Sequence, residues 1–234
     1  GFLLNFMSWK GTFAVLLLYG ALLLFMSGKF QESLPAKRRS KKSVLASFSL
    51  YAKVFKNRAY VSYFLVCTFP MIILFGYIAS SPFIYQKIYG LSPVGFSLCF
   101  ALNALFTAFG CALSGKVGSE FKALKIAGAG MLVFAIAIAA ALMTHALLPL
   151  LQVAFMGLTF MFGMSQPPAN ALALNAERSN AGTAAAAIGA SGFLMGGIVS
   201  PLVGMGDIAT SASIVLLVGA VLTLGSVLVI RSGR

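Results

Sequence analysis

Apolar stretches of membrane-spanning length alternate along this chain with short polar segments. Seven of these stretches contain at least 18 residues, which as an α-helix extend for about 27 Å, close to the thickness of the hydrocarbon core of a bilayer. We therefore predict an all-α membrane protein with seven complete transmembrane helices. They are Gly11–Gly28, Ala59–Tyr85, Pro93–Ser114, Ile126–Met143, Leu147–Pro168, Ala181–Val203 and Thr210–Ile230.

The first residues, Gly1–Met7, are also apolar, but they are too few to cross a bilayer by themselves. We interpret them as the last part of a further helix that begins upstream.

A strongly basic segment, Lys29–Arg58, separates the first complete span from the six that follow. It holds nine of the 17 Lys and Arg residues of the chain. Because positively charged residues near the ends of spans are poorly translocated, we expect this segment to stay in the cytoplasm. Within it, the apolar residues of Val44–Asn57 recur at near-helical spacing with lysines between them. This pattern favours an interfacial amphipathic helix over a disordered linker.

The remaining positive charges agree with this orientation. With the basic segment inside, 15 of the 17 Lys and Arg residues lie on the cytoplasmic side, and Lys10 and Lys87 lie outside. Moving the register by one span would invert this asymmetry. We therefore expect the C-terminus in the cytoplasm and His145 in an outer turn.

The composition excludes a water-soluble fold. Apolar and aromatic residues make up 60% of the chain and charged residues 9%, against about 25% charged residues in typical soluble domains. The net charge of +13 does not indicate nucleic-acid binding, because the cations cluster at the ends of apolar runs. Cys67, Cys99 and Cys111 match no metal or redox spacing. Since no catalytic, phosphate-binding or metal-binding pattern is present, we expect neither an enzyme nor a cofactor.

The predicted spans contain uncharged polar residues but no Asp, Glu, Lys or Arg. An ionisable residue there would have marked a proton or ion relay, so these spans supply no proton carrier. Pro167 and Pro168 are expected to break the fifth span at its cytoplasmic end. Gly192 and Gly196 form a G-x-x-x-G pattern, which predicts the close approach of a neighbouring helix.

Six spans behind a long cytoplasmic loop indicate a transporter built from two six-span halves. Four groups of motifs add a resemblance to a known family. They are GYIASSPF (Gly76–Phe83) with YGLS (Tyr89–Ser92) and FSLCFALN (Phe96–Asn103), WKGTF (Trp9–Phe13) with ESL (Glu32–Leu34), PANALAL (Pro168–Leu174) with AGTA (Ala181–Ala184), and SPLV (Ser200–Val203). Together they resemble the Bcr/CflA (bicyclomycin and chloramphenicol resistance) branch of the drug:proton antiporters in the major facilitator superfamily. The run Gly76–Asn103 is the most specific part.

The resemblance extends from the end of that family's helix 5 to the end of its helix 12. It implies that residues 1–28 close the N-terminal bundle, with part of helix 5 and all of helix 6. Residues 29–58 are then the linker, and residues 59–234 are the C-terminal six-helix bundle. The chain departs from the superfamily's cytoplasmic gate motif in Gly115–Lys125, where the acidic and basic residues are out of register. The family helices that carry the membrane acid lie outside this chain.

The resemblance also implies proton-coupled multidrug efflux by alternating access in the bacterial inner membrane. Protons would pass through the N-terminal half, and the complete protein would be monomeric. Because superfamily helices 7, 8, 10 and 11 line the central cavity, six residues are expected at a site for an amphipathic drug: Tyr77, Asn103, Phe106, Met156, Gln166 and Phe193. The alternatives are uptake of a small metabolite on the same fold and a truncated membrane remnant that does not transport.

Overall fold

The computed structural model of the protein describes residues 8–30 and 44–230. Within these ranges the chain forms eight α-helices and no strand: α1 (Trp9–Gly28), α2 (Val44–Lys56), α3 (Arg58–Phe83), α4 (Pro93–Ser114), α5 (Glu120–Met143), α6 (Leu148–Ala176), α7 (Ala181–Val203) and α8 (Ile208–Val229). All except α2 are long and apolar enough to cross a membrane. The predicted all-α membrane fold is therefore confirmed. The predictions for Gly1–Met7, for residues 31–43 of the basic segment and for Arg231 and Arg234 lie outside the described residues.

The described residues belong to two compact units, with the boundary between residues 47 and 48. The first unit contains α1, whose large apolar side chains, such as those of Leu17 and Leu24, are exposed. The second unit contains α3–α8 and most of α2. The three-part division at residues 28 and 58 stays a prediction.

The second half of the basic segment is helical, as predicted. Val54 of α2 is fully buried, and the ring of Phe55 lies edge-on to the rings of Tyr60 and Phe64 in α3. Lys53 and Lys56 occupy the last turn of α2. Val54 and Phe55 of α2 thus pack against the bundle, while the location of α2 at a membrane interface stays a prediction.

Asn57 links the end of α2 to the connection between α6 and α7. Its side-chain oxygen accepts hydrogen bonds from backbone N–H groups in the first turn of α3, as an N-cap residue does. Its side-chain nitrogen donates to the Ala176 carbonyl (3.0 Å) and to Oε1 of Glu177 (2.7 Å). Hydrogen bonds from Asn180 and Asn57, together with the positive charge of Lys53, hold the pKa of the Glu177 carboxyl below its usual value.

The six helices α3–α8 form two sets of three with matching contacts. The most extensive pairings are α4 with α6, α5 with α6, α5 with α8, α3 with α8, α3 with α7, and α3 with α6. Exchanging α3, α4 and α5 for α6, α7 and α8 leaves this set of pairings unchanged. Because each set contains three spans, an odd number, the second set runs in the opposite direction. This is an inverted repeat, which many membrane transporters contain.

Helices α4 and α6 touch through their backbones. A Cβ atom added to Gly110 would lie 2.0 Å from the carbonyl oxygen of Phe160, and one added to Gly163 would lie 2.1 Å from the carbonyl oxygen of Thr107. Real Cβ atoms cannot approach so closely, so this contact requires glycine at both positions. Small residues allow such close packing where no hydrophobic effect drives helices together.

Helix α6 continues through Pro167 and Pro168 to Ala176, so the predicted break at these prolines is wrong. Proline lacks an N–H group, and Pro167 therefore leaves the carbonyl of Gly163 without its helical donor. The thiol of Cys111 in α4 donates to that carbonyl at 3.2 Å. Membrane helices tolerate proline when a neighbouring helix satisfies the freed carbonyl in this way.

Helix α5 also exceeds its predicted span. It begins at Glu120, not at Ile126, because the hydroxyl of Ser119 accepts a hydrogen bond from the backbone N–H of Lys122 and caps the helix there. The additional turns contain Glu120, Lys122 and Lys125, so a prediction based on uninterrupted apolar length did not include them.

Helix α3 passes into a π-helical turn, Ile84–Ile88, instead of ending at Tyr85. In this turn the N–H of Tyr89 donates to the carbonyl of Ile84, five residues earlier (3.1 Å). The turn follows Pro82, whose missing N–H frees the carbonyl of Ile78. Such turns are frequent at functional sites, and this one carries Tyr85.

Helix α7 meets α3 through the predicted glycine pair. A Cβ atom on Gly196 would lie 2.8 Å from the ring of Phe75, and one on Gly192 would lie 3.4 Å from the side chain of Met71. In contrast to the α4–α6 contact, flexible side chains fill the space that these glycines leave. The predicted close approach is present, but it is softer than a backbone contact.

Two hydrogen bonds hold the first half of α7 to α3. The hydroxyl of Tyr60 donates to the carbonyl of Ala184 (2.9 Å), and the hydroxyls of Thr68 and Ser191 lie 2.8 Å apart. Both bonds satisfy polar groups inside the bundle, as the membrane interior requires.

The α4–α6 contact gives a test of the fold. Replacing Gly163 with Ala brings a methyl carbon to 2.1 Å from the Thr107 carbonyl oxygen, so the two backbones must separate. We expect the free energy of unfolding to fall by about 1–3 kcal/mol, measured as a lower thermal midpoint of the purified protein. The matched control is Gly197→Ala in α7, whose added Cβ would meet nothing within 4 Å and should change stability by at most ~1 kcal/mol. Equal midpoints for the two variants would contradict the contact.

Candidate functional site

A cluster of four uncharged polar side chains lies buried between α3, α4 and α6. Asn103, in the middle of α4, donates its amide hydrogens to the hydroxyls of Tyr77 (2.8 Å) and, more weakly, Tyr85 (3.5 Å). Gln152 of α6 donates to the side-chain oxygen of Asn103 (3.0 Å) and to the Cys99 carbonyl (3.4 Å). Tyr85 donates to the side-chain oxygen of Gln152 (2.5 Å). We call Tyr77, Tyr85, Asn103 and Gln152 the polar cluster.

Aromatic rings surround the polar cluster. The ring of Tyr77 stacks on that of Phe100, with centroids 5.5 Å apart and planes inclined by 12°. Phe155 lies against both tyrosines, and its ring centroid is 5.2 Å from that of Tyr77 and 5.9 Å from that of Tyr85. Asn103 is only 1% exposed. In such a setting each hydrogen bond is stronger than in water, and each polar group without a partner is destabilising.

A first cavity, of about 280 Å³, opens beside the polar cluster. Tyr77 and Asn103 form part of its wall, and the rest comes from residues of α3, α4 and α6: Leu74, Ile78, Phe100, Ala104, Thr107, Thr159 and Phe162. The wall is mostly apolar, with two aromatic rings beside that of Tyr77. Sites for small organic molecules have this composition, with few but well-placed polar groups.

A second cavity, of about 270 Å³, lies between α3, α6 and α7. Its polar wall residues are Gln166 and Asn170 of α6, and Phe193 of α7 lies at its edge. Leu74 of α3 lines both cavities, so they are neighbours. Each is close to the lower end of the volumes typical of sites for small molecules, and together they fall within that range.

Neither of the two cavities has a charged residue in its wall. No Asp, Glu, Lys, Arg or His is among their lining residues. In the part of the chain that the structure describes, no group of His, Cys, Asp and Glu residues is arranged to hold a metal ion. Recognition in these cavities therefore relies on shape, aromatic surface and neutral hydrogen bonds.

A larger cavity, of about 570 Å³, lies at the ends of the helices, where α4 connects to α5. Glu120, Pro167 and Pro168 are among its lining residues. We do not regard it as the candidate site, because the connections between helices form much of its wall and the polar cluster lies elsewhere. The two smaller cavities lie between the membrane-spanning helices.

The structure brings four of the six expected residues to the cavities. Tyr77 and Asn103 line the first, and Gln166 and Phe193 line the second. Phe106 and Met156 line neither of the two. Phe106 is half-buried with its ring edge-on to that of Phe109, and Met156 is half-buried on α6.

Sequence reasoning did not select Tyr85 and Gln152, which complete the polar cluster. Gln152 was visible as an amide within an apolar span, a setting in which it must find a partner. Tyr85 offered no such signal, because an aromatic residue near the end of a span normally serves as an interfacial anchor. The π-helical turn brings it inward.

Comparison with known proteins places the chain in a broad class. A sequence model of the Major Facilitator Superfamily matches residues 1–201. The chain is also 32% identical, over 209 residues, to an uncharacterized MFS-type transporter, YdgK, of Bacillus subtilis (strain 168). That similarity covers 88% of this chain and 52% of the relative, so the chain spans about half the length of the curated relative that it matches.

The polar cluster predicts a pattern of coupled stabilities. Replacing Asn103 with Leu leaves Gln152 and Tyr77 without their shared partner, and we expect a loss of about 1–3 kcal/mol. Gln152→Leu should cost a similar amount. The double variant should cost less than the sum of the two, because no buried amide then remains unpaired. Thermal unfolding of the purified protein measures all three.

The control for this series is Asn170→Leu in α6. The Asn170 side chain donates to the carbonyl of Gln166 on its own helix (2.9 Å), so its loss should cost less than about 1 kcal/mol. Strictly additive effects of Asn103→Leu and Gln152→Leu would show that the two amides do not form one network.

Proposed function

The chain belongs to the major facilitator superfamily, and from this premise we propose that the protein exports amphipathic drugs in exchange for protons, as the Bcr/CflA branch does. The single observation that carries the proposal is a coincidence of sequence and structure. The run with the most specific resemblance to that branch, Gly76–Asn103, supplies three of the four residues of the polar cluster: Tyr77, Tyr85 and Asn103.

The chemistry of the cavities supports a hydrophobic substrate. Their walls are apolar and aromatic, with a few neutral polar groups and no charge. A sugar or an amino acid would bring several hydrogen-bonding groups or ionised groups, which these walls would leave without partners. An amphipathic drug, which also partitions into the bilayer, meets far less of this penalty. Efflux therefore fits the cavities better than uptake of a polar metabolite.

Proton coupling would require a group outside the six helices α3–α8. The membrane-spanning helices α3–α8 contain ionisable acidic or basic side chains only at their ends, such as Arg58 and Glu120. We propose that the N-terminal half of the complete protein carries the proton and that α3–α8 rock against it around the cavities. The complete protein is proposed to act as a monomer.

We also propose the orientation in the bacterial inner membrane. The basic segment and the connection between α4 and α5 would face the cytoplasm, since both carry clustered Lys or Arg residues. The turn at His145 would face outward.

Epitope tags test the orientation. A tag inserted after His145 should bind antibody on intact spheroplasts, because that turn faces outward. A tag inserted after Val117, between α4 and α5, should bind only after the membrane is permeabilised. Labelling of the Val117 tag in intact spheroplasts would overturn the proposed topology.

Drug accumulation tests the function. Cells that express the full-length gene product should accumulate several-fold less chloramphenicol than cells with an empty vector, and a protonophore should remove the difference. Phe193→Ala removes a ring from the wall of the second cavity. It should weaken export by roughly 5-fold, which corresponds to the loss of about 1 kcal/mol of aromatic contact with the drug.

The matched control for that variant is Leu194→Ala. Leu194 is the next residue of α7 and is exposed, but it lines neither cavity, so export should be unchanged. Unaltered chloramphenicol levels in cells expressing the wild-type protein would reject efflux of this drug class. Equal effects of the two variants would reject the second cavity as part of the site.

A further inference from the structure

One hydrogen-bond donor of the polar cluster has no acceptor among the residues that the structure describes. The hydroxyl oxygen of Tyr77 accepts a hydrogen bond from Asn103 (2.8 Å). Within residues 8–30 and 44–230, the hydroxyl of Tyr77 donates no hydrogen bond of its own. A tyrosine hydroxyl can both donate and accept, so its donor function is unused. Tyr77 is nevertheless 97% buried, with 3% of its surface exposed.

The other donors of the cluster are engaged. The hydroxyl of Tyr85 donates to Gln152 (2.5 Å), the amide of Gln152 donates to Asn103 (3.0 Å), and the amide of Asn103 donates to both tyrosines. Asn103 thus holds the Tyr77 hydroxyl in place through a hydrogen bond that the hydroxyl oxygen accepts. A buried polar group normally uses its hydrogen-bonding capacity, so the hydroxyl hydrogen of Tyr77 is available to a bound molecule.

The first cavity is lined both by Tyr77 and by Asn103, which donates to the Tyr77 hydroxyl. Tyr77 lines the cavity, and the two other hydroxyl groups in its wall are turned to their own helices. Thr107 donates to the carbonyl of Asn103 (3.0 Å), and Thr159 donates to the carbonyl of Phe155 (2.9 Å). Tyr77 is therefore the one hydroxyl in this wall with a hydrogen free for a ligand.

We propose that the first cavity selects an uncharged aromatic group that carries a hydrogen-bond acceptor, such as a carbonyl oxygen, and that Tyr77 donates to that acceptor. The surrounding wall of Leu74, Ile78, Phe100 and Phe162 accommodates an aryl group. A charged group would find no counter-charge there. An isostere without the acceptor would leave the buried donor unpaired, and its affinity would be lower by the contribution of one neutral hydrogen bond.

Tyr77 is thus a specificity-determining residue for the substrate. The inference rests on the proposed role of the cavity in binding the exported drug, since it names the chemical class that this cavity prefers. It does not depend on proton coupling or on the direction of transport.

The experiment compares benzophenone with diphenylmethane. The two neutral diaryl molecules differ in one respect that matters here: benzophenone has a carbonyl oxygen where diphenylmethane has a methylene group. The full-length protein is purified into lipid nanodiscs, and benzophenone is photo-crosslinked to it at increasing concentrations. Diphenylmethane serves as competitor, and mass spectrometry locates the adducts.

For the wild-type protein, we expect saturable adducts on residues that line the first cavity. Benzophenone should bind roughly 2- to 10-fold more tightly than diphenylmethane, the range that one neutral hydrogen bond supplies. Tyr77→Phe keeps the aromatic ring and removes the hydroxyl, so it should abolish the preference for benzophenone while diphenylmethane still binds.

The control variant is Tyr89→Phe. Tyr89 donates its hydroxyl to the carbonyl of Ala146 (2.8 Å) and lines neither cavity, so this variant should keep the preference. Thermal midpoints of both variants report whether each is folded. The comparison of the two molecules on the wild-type protein requires no variant, and it stands even if Tyr77→Phe is unstable.

The outcomes separate this inference from the proposed function. Equal affinity of the two molecules for the wild-type protein, or a preference that survives in Tyr77→Phe, would refute the role of Tyr77 and leave drug efflux standing. Adducts confined to sites outside the first cavity, or no saturable binding, would refute the cavity as well. Loss of proton-driven efflux with a preserved, Tyr77-dependent preference would refute the transport mechanism alone.

Discussion

Gly110 and Gly163 allow the backbones of α4 and α6 to touch, and the geometry of the site depends on this contact. It holds the two helices side by side, so that Asn103 and Gln152, two to three turns earlier on their helices, come within hydrogen-bonding distance. Any larger residue at either glycine would separate the helices and break the amide pair. The wall of the first cavity is thus set by two residues that do not line it.

The membrane interior makes that arrangement demanding. In lipid, polar side chains cannot turn to water and must be satisfied within the protein. The polar cluster meets this condition almost completely, with amide and hydroxyl groups that donate and accept in a closed set. Because none of its members is charged, the cluster avoids the high cost of an ion at membrane depth. It is rigid enough to present a defined polar surface and neutral enough to tolerate an apolar ligand beside it.

Most of the fold could be predicted from the sequence, because apolar length determines where helices cross a membrane. The bounds of α4 and α7 agree with their predicted spans. The start of α5 and the end of α6 were missed for different reasons. Turns that carry Glu120, Lys122 and Lys125 extend α5 beyond its apolar run, and the carbonyl freed by Pro167 is satisfied by Cys111, a residue far away in the sequence. Local patterns do not contain that information.

The same distinction applies to the site. Tyr77 and Asn103 could be selected because a polar residue in an apolar span requires a partner, and the family resemblance pointed to the same helices. Their actual partners could not be read from the sequence, since Tyr85 reaches the cluster through a π-helical turn and Gln152 through the packing of α6 on α4. Residues that share a helix with the site, such as Phe106 and Met156, cannot be separated from wall residues by helix assignment alone.

The two halves of the inverted repeat pair their helices in the same way, but two equivalent helix contacts differ in stiffness. Its α4–α6 contact is backbone against backbone, whereas the equivalent α3–α7 contact beyond Ser191 rests on the side chains of Met71 and Phe75. Side chains can change rotamer, whereas a backbone contact cannot yield without moving a helix, so the α3–α7 contact beyond its hydrogen bonds at Ala184 and Ser191 is the softer of the two. The second cavity, between α3, α6 and α7, is therefore bordered by the softer contact, and the first, between α3, α4 and α6, by the stiffer one.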